Sequence, residues 1–249
     1  TVMGLIVIGG IGFFVWADLV KCKLHFKRYA LHTKIVLTTT LFLILSGCIG
    51  FYLLEQEGAL AGLNEGEKLL GALFQSVTTR TAGFNTIDQA ALTDGGGILS
   101  IVLMLIGGSP GSTAGGIKTA TIFIVLLNVV ASVRNKDSIT VFKKRISDDT
   151  VKQACSITTI YIILALVSAV AIMALESIEL ECALFETSSA IGTVGLTMGI
   201  TPSIGAASKI ILAFLMYAGR VGGLSLALAF STERVDPDIQ RPTEKVLVG

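Results

Sequence analysis

Uncharged apolar runs alternate with short charged segments along the whole chain, and the sign of those charges alternates too. Residues 1–19 are apolar almost throughout, with Asp18 near the end, and Lys21, Lys23, Lys27, Arg28 and Lys34 follow with no acid among them. Residues 35–54 are twenty uncharged positions that end in Glu55, Glu57, Glu65 and Glu67. At about 1.5 Å per residue that run crosses a hydrocarbon core of about 30 Å. Residues 68–79 are too short to cross and predict a re-entrant helix that returns through 81–86. Residues 98–133 hold 36 positions with Lys118 as the only charge. One helix of that length would measure about 54 Å, so the run must break. The break is written in residues 107–116, where five glycines and a proline remove helix propensity and a backbone donor.

The pattern then repeats. Arg134, Lys136, Lys143, Lys144, Arg145 and Lys152 mark a second basic loop, and 155–175 form a span ending in Glu176, Glu179 and Glu181. Residues 182–191 predict a second re-entrant helix, 192–197 a second polar return, and 210–230 a last span. By the positive-inside rule the basic loops are cytoplasmic and the acidic ones external. The expected organisation is the closing span of a preceding repeat (1–20), a cytoplasmic loop (21–34), a complete repeat (35–133), a second loop (134–152), a second complete repeat (153–231) and a cytoplasmic tail (232–249). The opening residues carry neither an initiator methionine nor a signal-peptide pattern, which predicts a cut through a larger protein.

Composition fixes the class. The chain is 52% hydrophobic and 15% charged, against about 25% charged in soluble domains, with a mean hydropathy of +0.78. This predicts an all-α polytopic membrane protein in contact with lipid. The net charge of +1 gives no sign of a nucleic-acid partner. Cys22, Cys48, Cys155 and Cys182 are scattered, without metal-ligand spacing, and are expected as small apolar fillers.

The two polar returns are related. Leu73-Phe74-Gln75-Ser76 matches Leu184-Phe185-Glu186-Thr187 at a spacing of 111, and Thr81-Ala82-Gly83-Phe84 matches Thr193-Val194-Gly195-Leu196 at 112. Irregular backbone survives at membrane depth only when it is buried in protein or lines water. Glycine lets carbonyls turn toward a pore, and carbonyl oxygens replace the hydration shell of K⁺. Each re-entrant helix aims its partially negative C-terminal end at the same place. Thr81, Ala82, Gly83 and Phe84, within a first filter at 81–85, and Thr193, Val194, Gly195 and Leu196, within a second at 192–197, are therefore the expected ion-binding positions. Thr81 and Thr193 would add hydroxyl oxygens. Arg80 is expected to prop the first return by hydrogen bonds to carbonyls. Asp18 and Glu186 are expected in structural bonds rather than at the ion.

These residues, with 107–119, Gly219-Arg220-Val221-Gly222 and 242–249, make the chain resemble the membrane subunit of the Trk/Ktr/HKT potassium-transporter superfamily, nearest the bacterial Ktr type, C-terminal half. The resemblance implies four such units around one pore, of which this chain holds about half. It implies transport of K⁺, with or without Na⁺, in the cell membrane, with no organic cofactor and no catalytic residues. It also implies a homodimer and a cytosolic nucleotide-binding regulatory ring of the RCK/KTN type. Gly107, Gly108, Ser109, Pro110, Gly111, Ser112, Thr113, Ala114, Gly115 and Gly116 would then form an intramembrane gate; a flexible kink is the plainer reading. Lys118 reads as cavity lining or ordinary packing. Arg220, ten residues from each end of its predicted span, reads as a helix–helix tie or as a positive group under the filter. Residues 107–111 also fit a GxSxG nucleophile pattern, so an intramembrane serine hydrolase is the rival reading. Such an enzyme needs a base; His25 and His32 fall in the first basic loop, leaving Lys118.

Overall fold

Nine α-helices and one small hairpin carry the residues described by the structure, a computed structural model covering 1–23, 25–136 and 138–222. The helices are α1 (Val2–Ile11), α2 (Phe13–Cys22), α3 (Leu31–Leu54), α4 (Glu65–Thr78), α5 (Asp94–Leu105), α6 (Thr119–Val133), α7 (Asp148–Glu176), α8 (Leu180–Gly192) and α9 (Ala206–Val221). In the second basic loop β1 (Thr140–Val141) pairs antiparallel with β2 (Lys144–Arg145), Thr140 opposite Arg145. That hairpin was not expected from the sequence.

Of the described helices, α3 with 24 residues and α7 with 29 are each long and apolar enough to cross a bilayer alone. Leu41, Phe42, Leu45, Ile49 and Leu53 of α3 are exposed, while Val36, Leu43 and Phe51 are buried. A helix apolar on both its packed and its open face suits a lipid surround. The short helix α4 starts at a capping box: the Asn64 side chain takes an N–H of the first turn and Glu67 accepts from the Asn64 amide.

Two of the buried clusters lie mainly in 35–133 and 153–222, the second also taking in Ile117. Leu43, Phe51, Leu60, Ala72 and Leu103 form the first, and Tyr161, Ile172, Ile191, Leu212 and Leu215 the second. A third cluster of Met104, Phe185, Val194 and Leu196 joins α5 of the first repeat to α8 of the second.

A carboxylate ends the opening span of both repeats and caps the closing span. Glu55, fully buried, accepts from the Thr93 amide and hydroxyl at 3.0 and 2.8 Å, and Thr93 is the N-cap of α5. Glu176 accepts from the Gly205 amide at 2.8 Å and the Ser208 hydroxyl at 2.5 Å at the start of α9.

Two predicted spans are corrected. Residues 1–19 are not one helix: α1 and α2 meet at 92°. Gly12 sits at φ 93°, and the Phe13 amide donates to the Gly111 carbonyl instead of to its own helix. The last span does not run straight through 210–230: α9 starts at Ala206 and ends at Val221, with Gly222 at φ 91° and ψ 143°. Gly12, at φ 93° and ψ 149°, has nearly the same backbone, so α1 and α9 end in matching breaks. Residues 223–249, including the predicted tail and the 242–249 stretch, lie outside the described residues.

Candidate functional site

The two polar bends are built alike. Thr81 (φ 63°) and Thr193 (φ 53°) are left-handed, and so are Gly83 (φ 73°) and Gly195 (φ 93°). For a β-branched threonine this is an outlier, a conformation held only where its surroundings enforce it. The enforcement comes from the preceding helix. The Ala82 and Gly83 amides both donate to the Thr78 carbonyl, and the Thr78 hydroxyl donates to the Phe84 carbonyl at 2.7 Å. The matching Ser189, 111 positions on, takes the Val194 amide on its carbonyl at 2.9 Å and the Gly195 amide on its hydroxyl at 3.2 Å.

With their amides turned back to the helices, the carbonyls of Thr81, Ala82, Gly83, Thr193, Val194 and Gly195 accept no hydrogen bond among the described residues. The bends also touch. A Cβ added to Gly83 would overlap the Val194 carbonyl oxygen and lie 3.4 Å from the Gly195 Cα. Gly195 is exposed, while the Val194 and Leu196 side chains are buried in the cluster that joins the repeats. Those two positions therefore offer backbone oxygen only. The Phe84 side chain is 58% exposed. The Thr193 hydroxyl is buried with no hydrogen-bond partner.

Further pairs brace the bends from behind. Gln75 and Gln89 exchange side-chain hydrogen bonds at 2.7 and 3.1 Å, both buried. At the equivalent place Glu186 accepts from the Thr197 and Thr201 hydroxyls. Glu186 is thus in structural bonds, as expected, and so is Asp18, which accepts from the Ala30 amide at 2.8 Å. Arg80 is buried, but its bond goes to the Thr40 carbonyl of α3 at 3.4 Å. It ties the bend to α3 rather than propping the bend's own carbonyls.

Beneath the second bend lies the broken stretch between α5 and α6. Its neck is a parallel bridge between Ile106 and Ile117, with the Gly107 amide on the Ile117 carbonyl at 2.9 Å and the Thr119 amide on the Gly108 carbonyl at 3.0 Å. Its tip turns through Pro110, Gly111, Ser112 and Thr113 onto the α1–α2 break: the Ser109 amide donates to the Gly10 carbonyl at 2.9 Å. On the return, a Cβ on Gly115 would overlap the Thr193 side chain, and one on Gly116 would lie 3.3 Å from the Gly192 Cα.

Two cations hold adjacent carbonyls of this loop. Arg220 donates to the Thr113 carbonyl, and Lys118 to the Ala114 carbonyl. Arg220 stands in the last turn of α9, and its side chain is exposed. It lines a cleft of about 580 Å³ together with Glu186, Thr193, Gly195 and Thr197. Ser109 is fully buried, its hydroxyl 3.3 Å from that of Thr119. Lys118 is committed to the Ala114 carbonyl. His32 joins Pro110, Gly111 and Lys118 around a separate cavity of about 460 Å³ without bonding to Ser109.

The paired braces, the Gly12 break and the span-capping carboxylates were not anticipated as parts of one device. The signal was present in part: the 111-residue spacing already aligned Gln75 with Glu186 and Thr78 with Ser189.

Residues 1–239 match the profile of a protein family described as TrkH: Cation transport protein. The chain is 36% identical to the potassium/sodium uptake protein NtpJ of Enterococcus hirae over 100% of the chain and 56% of that protein. It is also 36% identical to the Ktr system potassium uptake protein B of Bacillus subtilis, over 98% of the chain and 55% of that protein. Among solved structures, the potassium transporter TrkH from Vibrio parahaemolyticus superimposes with a TM-score of 0.72 at 18% identity, covering 92% of this chain and 51% of that one. The last likeness bears on the fold. The chain spans about half the length of the curated relatives it matches.

Proposed function

The chain belongs to the TrkH cation transport family of multi-pass membrane proteins, and from that premise we propose that it supplies two of four repeats around a K⁺-conducting pore. The observation that carries this is the meeting of the two bends. Gly83 abuts the Val194 carbonyl, and the carbonyls of 81–83 and 193–195 have no partner among the described residues. Unbonded carbonyls gathered at one place are what a dehydrated monovalent cation needs in exchange for its water. The αL threonines and glycines turn those oxygens away from the helices that hold them.

Residues 107–116, with Lys118 and Arg220, are the gate. They run directly below Thr193, are fixed by a neck and two cationic ties, and expose Gly111 and Thr113 at the tip. Moving the tip must release the Ser109–Gly10 and Phe13–Gly111 bonds and the two cationic ties, and the Arg220 charge beneath the bend raises the barrier to a cation while the tip is in place. The repeat boundaries 35–133 and 153–231 follow, with 1–20 closing a preceding unit; the matching Gly12 and Gly222 backbones support that assignment.

The ion is K⁺, with Na⁺ as a second ion, in line with the potassium/sodium uptake protein among the relatives. A homodimer and a cytosolic nucleotide-binding ring of the RCK/KTN type follow from the resemblance to the Ktr type; one relative is named as protein B of a Ktr system. The hydrolase reading is not favoured: the relatives are uptake proteins, and the Ser109 hydroxyl pairs with Thr119, not with a base.

The test is K⁺ and Na⁺ uptake by the full-length protein carrying Gly195→Ser. A loss of K⁺ over Na⁺ preference is expected; unchanged selectivity at normal protein levels overturns the filter reading.

A further inference from the structure

The two bends differ in charge: Arg80 precedes the first, where the second has uncharged Ile191 and Gly192, and Glu186 stands behind the second, where the first has Gln75. Gln75 of α4 and Glu186 of α8 occupy equivalent places, and Gln89 and Thr201, which they contact, are equivalent at a spacing of 112. In the first repeat the brace is a neutral amide pair; in the second it is a carboxyl group held by two hydroxyls. Glu186 is only 5% exposed. Neither of the ion pairs among the described residues involves it. A carboxylate buried without a cation is costly to desolvate, and two hydroxyl donors offset that only in part. Its place suggests what completes the compensation: Glu186, Thr197 and Thr201 line the same cleft as Thr193 and Gly195, and Arg220 lines it too. A cation at the second bend therefore has a negative group behind the bend and a positive one below it.

We propose that Glu186 is a specificity-determining residue for ion uptake. Its charge, placed behind the second bend only, raises cation occupancy there and makes the pore electrostatically asymmetric. The inference rests on the filter reading above, but it goes beyond a structural brace, because a brace needs hydrogen-bond acceptors and not charge. Glutamine at 186 keeps an acceptor for a threonine hydroxyl and reproduces the first repeat, whereas aspartate keeps the charge and shortens the reach.

The experiment is the concentration dependence of K⁺ uptake by the full-length transporter with Glu186→Gln, Glu186→Asp and Gln75→Glu, and Gly195→Ser in parallel. Loss of a charge that helps hold the cation is taken to weaken its binding by roughly ten-fold, about 1.4 kcal/mol. Glu186→Gln is expected to raise KM by about that factor with maximal rate largely kept. Glu186→Asp is expected to stay near the native KM, and Gln75→Glu to lower it. A native KM in Glu186→Gln, or greater damage from Glu186→Asp than from Glu186→Gln, overturns the proposal in favour of a brace alone. If Glu186→Gln fails to accumulate, Gln75→Glu decides by itself: an unchanged or raised KM overturns the charge effect. Gly195→Ser separates the two levels: altered selectivity there with a native KM in Glu186→Gln defeats this inference and leaves the filter standing, whereas unaltered selectivity there defeats both.

Discussion

Gly83 and the carbonyl oxygen of Val194 lie so close that no side chain fits between them: a Cβ on Gly83 would overlap that oxygen. Gly83 also has φ 73°, which an L side chain adopts only under strain. Two stretches more than a hundred residues apart in sequence thus meet backbone to backbone. Glycine is needed there for space as well as for conformation.

Gly83→Ala should therefore separate the bends. The expected result is a loss of K⁺ over Na⁺ preference, with uptake down about ten-fold or more if a bound ion loses contacts worth about 1.4 kcal/mol. Uptake of both ions in cells, normalised to protein level, checks this.

Arg220→Gln should loosen the gate. It removes the tie to the Thr113 carbonyl and the positive charge lining the cleft. Basal K⁺ flux without any activator is expected to rise several-fold, measured as uptake into proteoliposomes. A fall in flux at normal protein level would mean that the loop is a scaffold.

Much of this architecture was legible in the sequence, and the reasons differ by element. The break at 107–116 was readable because Pro110, which removes a backbone donor, stands among five glycines there. The short helices α4 and α8 were readable from length against charge spacing. The break at Gly12 was not: its residues alone look like a continuous apolar span, and the bend exists because Gly111 offers its carbonyl to the Phe13 amide. Arg220 lies one residue before the end of α9, and the rest of the span drawn to Phe230 lies outside the described residues. The bond from Arg80 to Thr40 was likewise invisible, because it depends on how α3 packs against α4.

Gly12→Ala should lower stability by about 1–3 kcal/mol, the range for a side chain forced into a sparsely populated backbone region. The Cβ would meet the Pro110 carbonyl oxygen at 2.7 Å. A lowered Tm of the purified protein in detergent is the readout; because Ser109 and Gly111 bond to this bend, altered basal flux should accompany it.

Glu55→Ala should be more disruptive than Glu176→Ala. Glu55 is fully buried and accepts from the Ala59 amide, the Thr93 amide and the Thr93 hydroxyl. Leaving those donors unpaired costs about 3 kcal/mol or more. Glu176 caps α9 from a solvent-accessible position, so its loss should shift the melting curve measurably less. Thermal unfolding of the two variants side by side gives the order.

The central claim is that the carbonyls of residues 81–83 and 193–195 jointly hold a dehydrated K⁺. The most direct measurement is the anomalous density of Tl⁺ or Rb⁺ soaked into crystals of the full-length protein. The account predicts a peak at coordination distance from carbonyls of both bends. A peak that contacts only one bend, or only side chains elsewhere, would contradict it.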